Sequence, residues 1–342
     1  MTSPLHDPHA AVLGGGSWGT ALSLVLAQNG WQCSLWARDV ELAEDIVRSR
    51  ENRRYLPGHA LPERVNVTSS LPNALHRAEM VIWAVPSDAV RETAELAQNL
   101  LPPETVLVSA AKGLEAVSGL RMSQVLAEVL PGFSHHIAAL SGPNLAVEIA
   151  RGLPAAAVAA SLSSSARQTV QGAFTRMDIP TFRVYTNHDI VGVELGGAIK
   201  NVIAIAAGVC EGLGMGDNAR AALMTRGLAE AMRLGSAIGA EPHTFLGLSG
   251  VGDLIATAIS TLSRNYRVGL AIGSGRSLGE VLDELGQVAE GVPTTRVLWQ
   301  LAERYSVPMP LARALYGILF EHHEPGKAMT LLLQRPAGAE LS

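Results

Sequence analysis

The stretch AAVLGGGSWGTALS, residues 10–23, sets Gly14, Gly16 and Gly19 in GxGxxG spacing directly after an apolar run and at the start of a helical pattern. Each glycine has a separate physical reason. Gly14 permits a tight turn, Gly16 lets a pyrophosphate approach the backbone, and Gly19 lets the helix pack closely on the strand. The helix start then offers free N–H groups to phosphates. Strand, glycine turn and helix in this order predict a dinucleotide site, against the plainer reading of a glycine-rich turn that binds nothing.

Working outward, short apolar runs recur at residues 10–14, 32–37, 65–69, 80–85, 105–110, 136–142, 155–161 and 181–186, with helical patterns between them. Such alternation predicts an α/β Rossmann-like, doubly wound domain with a mainly parallel sheet over residues 10–188. Beyond 188 the strand signal fades into Ala-, Leu- and Gly-rich segments, so 189–334 reads as an all-α C-terminal domain. Residues 1–9 read as a flexible N-terminus and 335–342 as a loose tail. SLSSSA (161–166) reads as a strand-to-helix loop with a capping serine.

Composition narrows the function classes. The 342 residues carry 26 basic and 31 acidic side chains, a formal charge of −5, so an anionic substrate must be held by a few local cations and not by a global field. No nucleic-acid partner is expected; the one basic cluster, RSRENRR (48–54), reads as a solvated helix end. Cys33 and Cys210 lack metal-ligand spacing and read as reduced, buried thiols of a cytoplasmic protein; no metal site is expected. The N-terminus shows no signal peptide, and apolar runs such as VIAIAAGVC break off before about 18 residues, too short to span a bilayer.

VELGGAIKNVIAIAAG (193–208) reads as a helix buried on most sides, with Lys200 on a face made of Gly196, Gly197, Ile203, Ala204, Ala207 and Gly208. Either the glycines admit a second helix and the lysine snorkels to the surface, or the small face makes room for a ligand at which Lys200 points. The segment alone leaves both open. The second strand ends in LWARD (35–39), with Arg38 read as its last residue and Asp39 following. An arginine there can face a 2′-phosphate, which favours NADP and leaves NAD open; the alternative is a surface Arg–Asp pair.

Three further loops combine charge with glycine: SAAKGLE with Lys112, LSGPNLAVE with Gly142 and Asn144, and GLSGVGDLIATAISTLSRNYRVG with Asp253, Ser263, Arg264 and Asn265. Taken singly, each has a bland account as a solvated lysine, an N-cap or a surface ion pair. Taken together with GGGSWGTAL, NRRYLPG, AVPS, GVELGGAIKNVIAIAAG and VAEGV, they resemble the bacterial NAD(P)-dependent glycerol-3-phosphate dehydrogenases from the glycine loop to about residue 298.

The resemblance implies that Ser17, Trp18 and Arg38 contact NADP, with Ala146, Arg264, Val288 and Glu290 completing the cofactor contacts, and Arg54 and Tyr55 as further candidates. It implies that Lys112 touches cofactor and substrate, and that Gly142, Asn144, Asp253, Ser263, Arg264 and Asn265 line the substrate. Lys200 would be the catalytic proton donor and acceptor. Where the family usually has Ser or Thr after SGP, this chain has Asn144. The implied activity is reversible NAD(P)H-dependent reduction of dihydroxyacetone phosphate to sn-glycerol 3-phosphate, by a homodimer serving phospholipid synthesis. Burial and the positive Lys112 are expected to lower the pKa of Lys200, with Asp253 opposing. The alternatives are a ketopantoate or 3-hydroxyacid reductase of the same architecture, and a non-catalytic NADP sensor. GVGDL and SRN argue against the first, and a sensor would need neither Lys200 nor Asp253.

Overall fold

The computed structural model describes residues 7–175 and 181–334. The tail expected at 335–342 and most of the expected flexible N-terminus lie outside them. The chain divides into two compact units, Met1–Lys112 with Leu120–Glu194, and Gly113–Gly119 with Leu195–Ser342. The loop after Lys112 thus counts with the helical unit, which the local pattern did not indicate.

The first unit is built on one eight-stranded sheet in the order β3-β2-β1-β4-β5-β6-β7-β8. Its strands are β1 (His9–Leu13), β2 (Gln32–Trp36), β3 (Val65–Thr68), β4 (Met80–Trp83), β5 (Val106–Ser109), β6 (Ile137–Ser141), β7 (Ala155–Ala160) and β8 (Phe182–Asn187). All neighbours are parallel except β6 and β7. Helices α1 (Ser17–Gln28), α2 (Val40–Ser49), α3 (Leu71–Leu75), α4 (Val90–Ala97), α5 (Met122–Val129), α6 (Ala146–Ala150) and α7 (Ser164–Phe174) connect them. On one face Val12, Leu35, Ile82, Val108 and Leu140 join a core with Leu22 and Leu26 of α1 and Val170 and Phe174 of α7. The alternate residues Ala11, Leu13, Val81, Trp83 and Leu107 are equally buried. A sheet covered on both faces needs apolar residues at every position, which is why its strands read as continuous runs. Ser163 caps α7 as expected, accepting from Ala166 N at 3.3 Å.

The strand order reverses at β1, between β2 on one side and β4 on the other, and such folds bind ligands in the crevice at that point. One boundary differs from expectation. β2 stops at Trp36, so Arg38 lies in the loop beyond it, and Asp39 is the N-cap of α2, accepting from Leu42 N at 3.2 Å.

Helix α8 (Ile190–Gly212) starts in the first unit and continues into the second, which also holds α9 (Gly216–Ala237), α10 (Asp253–Ala258), α11 (Arg264–Gly273), α12 (Leu278–Leu285), α13 (Gly291–Tyr305), α14 (Pro310–Phe320) and α15 (Pro325–Leu333). Here the reading of the apolar runs needs correction. The helix continues through Glu194 and Lys200 for 23 residues, long and apolar enough to cross a membrane, yet 94% of its most apolar window is buried inside the protein. It is a core helix. Its glycines explain how: a Cβ on Gly208 would lie 2.2 Å from Tyr266 O, and one on Gly212 2.4 Å from Leu270 O. Reciprocally, Cβ atoms on Gly269 and Gly273 would lie 1.9 Å from Ile205 O and 2.4 Å from Val209 O. Two glycines four apart on each helix let the α8 and α11 backbones touch.

Glu230, 2% exposed on α9, accepts from the backbone N–H of Leu311 (2.7 Å) and Ala312 (3.2 Å), closing the otherwise unbonded first turn of α14. Glu230→Ala strands these buried donors and is expected to cost about 2–3 kcal/mol, seen as a lowered denaturation midpoint. An unchanged midpoint would show that α14 needs no cap.

Candidate active site

The expected site residues fall into two sets, one in each unit. In the first, Gly14 has φ +127° and a Cβ there would lie 2.6 Å from Ala84 O, so only glycine serves the turn between β1 and α1. A Cβ on Gly19 would fall 2.0 Å from Gly14 O, which seats the first turn of α1 on the loop. Gly16 differs: a Cβ there meets nothing within 4 Å, so its lack of a side chain serves no packing inside the protein. It is the N-cap of α1 and makes no side-chain cap bond, leaving the first-turn N–H groups to a ligand. These features fit the pyrophosphate of a dinucleotide. Trp18 packs edge-on against Phe182, and its buried Nε1 has no partner.

A residue the sequence reading missed braces this loop. Asn52, fully buried, donates through Nδ2 to Gly15 O and Thr20 Oγ1, both at 2.8 Å, and accepts from Tyr55 N at 3.2 Å. NRRYLPG is therefore tied to the glycine loop by its first residue, with Arg54 and Tyr55 just beyond. Arg54 pairs with Asp39 at 3.3 Å and stacks on Tyr55. Arg38 does not pair with Asp39. It reaches Glu92 at 3.3 Å, with 70% and 61% of the two side chains exposed, a contact of the kind worth at most about 1 kcal/mol and readily exchanged for a ligand.

Lys112, past the end of β5, donates from Nζ to Gly142 O at 2.7 Å, so two expected substrate contacts meet across neighbouring strands. Gly142 has φ +130° and a Cβ there would lie 2.9 Å from Ala157 Cα. Next along, both polar side-chain atoms of Asn144 are buried without a partner, as are the hydroxyls of Ser109 and Ser141 at the ends of β5 and β6. A buried amide with both groups unsatisfied is costly unless a ligand or a water satisfies it. Ala146 opens the short helix α6.

In the second unit Lys200 does not snorkel: it is 8% exposed. Its Nζ lies 2.9 Å from Asp253 Oδ1 and donates to Thr257 Oγ1 at 2.7 Å, while Thr257 donates on to Asp253 at 3.1 Å. A closed triangle of ammonium, carboxylate and hydroxyl fixes the lysine head, and Thr257 is its unexpected member. The one-turn spacing of Asp253 and Thr257 on α10 was the available signal. Asp253 is thus no plain cap, nor is Gly196 an opening for a ligand, since a Cβ there would lie 2.7 Å from Ser249 O. Both readings of the small face hold in part: the glycines admit other backbone, and the lysine stays inside.

Ser263 is a cap, accepting from Tyr266 N at 3.2 Å at the start of α11. Arg264 keeps solvent contact, but nearby protein atoms partly desolvate its guanidinium and lower its pKa, with the Glu290 carboxylate opposing. An arginine stays charged in either setting. Val288, 40% exposed, precedes Glu290, the N-cap of α13. Asn265 donates to Asn201 Oδ1 at 2.8 Å and accepts from Gly291 N at 2.9 Å, which links KN, SRN and AEG. Away from these residues, burial pushes the thiol of Cys33 up to about 12 and that of Cys210 to about 11, so both stay protonated and unreactive.

The chain is similar to known proteins over nearly its whole length. Residues 9–167 match the NAD-dependent glycerol-3-phosphate dehydrogenase N-terminus family and residues 189–330 its C-terminus counterpart. The chain is 49% identical to a glycerol-3-phosphate dehydrogenase [NAD(P)+] of Carboxydothermus hydrogenoformans, over 97% of this chain and 98% of that one. A counterpart from Moorella thermoacetica is 50% identical over 97% of each. The crystal structure of the Coxiella burnetii glycerol-3-phosphate dehydrogenase superposes with a TM-score of 0.91 at 38% identity, covering 96% of this chain and 99% of that one. A ketopantoate reductase from Ralstonia eutropha, TM-score 0.59 at 15% identity, covering 94% and 99%, shares the fold alone.

Proposed function

The chain belongs to the NAD-dependent glycerol-3-phosphate dehydrogenase family, and from that premise we propose how its residues divide the reaction. It reduces dihydroxyacetone phosphate to sn-glycerol 3-phosphate with NAD(P)H. The observation that carries the assignment of roles is the buried triangle at Lys200. Reduction needs a hydride at the carbonyl carbon and a proton at its oxygen. Bound NAD(P)H supplies the hydride. Lys200, held by Asp253 and Thr257, gives the proton and stabilises the alkoxide as it forms. In the reverse direction it takes the proton back.

Gly14, Gly16, Ser17, Trp18 and Gly19 hold the cofactor pyrophosphate, and Arg38, Arg54 and Tyr55 its adenosine end. Ala146, Arg264, Val288 and Glu290 complete the contacts. Lys112, Gly142, Asn144, Ser263, Arg264 and Asn265 position the phosphorylated substrate. The unsatisfied amide of Asn144 supports its part in this, since an amide donates and accepts where Ser or Thr would offer one hydroxyl. A cytoplasmic homodimer feeding phospholipid synthesis is the setting we propose, supported by two buried thiols that suit a reducing compartment.

The test is NADPH oxidation by the purified protein, with dihydroxyacetone phosphate, dihydroxyacetone and ketopantoate side by side. Turnover confined to the phosphorylated ketone is expected; equal rates with dihydroxyacetone would remove the phosphate-binding roles. Comparing NADPH with NADH examines Arg38. Arg38→Ala is expected to lower NADPH affinity about 10- to 100-fold, the worth of one charge-assisted contact, with little effect on NADH. An unaltered ratio would return Arg38 to the surface pair with Glu92.

A further inference from the structure

Asn201 and Asn265 are 4% and 8% exposed, and their amides form one directional chain; the reaction just described uses Asn265 at the substrate but gives Asn201 no part. Its direction is fixed at one end. The backbone N–H of Gly291 can only donate, so the atom of Asn265 that meets it at 2.9 Å must be Oδ1. Nδ2 of Asn265 then faces Asn201 and donates to its Oδ1 at 2.8 Å, and Nδ2 of Asn201 donates to Gly197 O at 3.4 Å, one turn back along α8. Flipping either amide would set donor against donor and acceptor against acceptor.

The chain also has no slack. A Cβ on Gly291 would lie 2.7 Å from Asn201 O and 2.9 Å from Asn265 Oδ1, so the start of α13 is seated directly on α8 and α11. Within α13 itself the hydroxyl of Thr295, one turn on, donates to Gly291 O at 2.7 Å. Three members of the chain adjoin residues with another task. Gly291 follows Val288–Glu290, Asn265 follows Ser263–Arg264, and Asn201 follows Lys200.

We propose that this amide chain couples cofactor binding at Val288–Glu290 to substrate binding at Ser263–Asn265 and Lys200, with Asn201 as the positioning residue that carries the coupling. The proposal rests on the roles assigned above. A ligand that holds the 288–290 segment fixes the direction of the Gly291 N–H, which orients the amide of Asn265 and, through it, that of Asn201. The second ligand then meets a site whose ordering has already been supplied, and binds more tightly. Thermodynamic reciprocity requires the same factor whichever ligand binds first.

The experiment measures the dissociation constant of NADPH by fluorescence titration, with and without saturating sn-glycerol 3-phosphate, in the wild type and in Asn201→Asp. The substitution keeps the shape but turns the donor that faces Gly197 O into an acceptor. Tighter NADPH binding in the presence of sn-glycerol 3-phosphate, about tenfold, is expected in the wild type. In Asn201→Asp that ratio should fall to about one, while NADPH alone binds nearly as before. A merely structural asparagine would lower the melting temperature and both affinities together and leave the ratio intact, which would overturn the proposal. So would a wild-type ratio of one. If Asn201→Asp does not fold, hydrogen exchange of the Gly291 amide in the wild type decides. Slower exchange with sn-glycerol 3-phosphate alone supports the chain, and unchanged exchange refutes it. A wild type that binds neither ligand would instead bring down the functional reading itself, which the titrations report separately.

Discussion

Lys200→Ala is expected to lower the turnover of dihydroxyacetone phosphate about 10³-fold or more, while NADPH still binds. Loss of a positioned general acid alone accounts for about 10² to 10⁴, and loss of a cation beside a developing alkoxide adds to it. The variant also removes the ammonium that pairs with Asp253, a carboxylate 1% exposed. Breaking a buried ion pair by removing one partner costs about 3–5 kcal/mol, so inactivity could be confused with unfolding. A second variant separates the two. Lys200→Met combined with Asp253→Asn removes both charges and retains a polar partner for Thr257. It is expected to recover most of the lost stability and none of the activity. Steady-state rates and thermal melts on the two proteins decide, and substantial turnover in either would show that another group moves the proton.

The glycine loop gives the other large effect, again as a contrast. A side chain on Gly16 meets no protein atom within 4 Å, and the residue has an ordinary extended backbone. Gly16→Val should therefore fold with an unchanged melting temperature and yet bind NADPH at least about 100-fold more weakly, because the valine occupies space meant for phosphate and blocks the N–H groups beneath it. Gly19→Ala fails differently. Its Cβ would lie 2.0 Å from Gly14 O, so α1 must lift off the loop, and both stability and affinity fall, the first by about 1–3 kcal/mol. A Gly16→Val protein that binds NADPH normally would show that the cofactor does not approach at this turn.

Much of this was legible in the sequence because it rests on local chemistry. All eight strands were read from apolar runs, since a doubly covered sheet permits little else. The end of β2 was placed too late: Ala37 continues the apolar run, and only the capping bond from Leu42 N to Asp39 shows where the strand has already stopped. Lys200 could be singled out as an oddity, but its fate depended on contacts 53 and 57 residues away at Asp253 and Thr257, and a linear pattern does not show such contacts. Asn52 and Asn201 were hidden for a similar reason. A buried asparagine reads like any loop or helix asparagine until its partners, Gly15 and Thr20 in one case and Asn265 in the other, are known. The glycine pairs of α8 and α11 could have been found as matching four-residue repeats, but only by reading the two helices as a pair.

That pairing also sets a problem of timing during synthesis. When Gly212 has been made, the chain holds a complete apolar helix of membrane-spanning length, and the surface that buries its glycine face has not been translated. Gly273 comes 61 residues later, a delay of roughly 3–12 s at ordinary elongation rates. Through that interval the nascent helix, long and apolar enough to cross a bilayer, lacks the α11 surface that its glycines fit. Its fate is decided by whether α11 emerges and docks before another apolar partner is found.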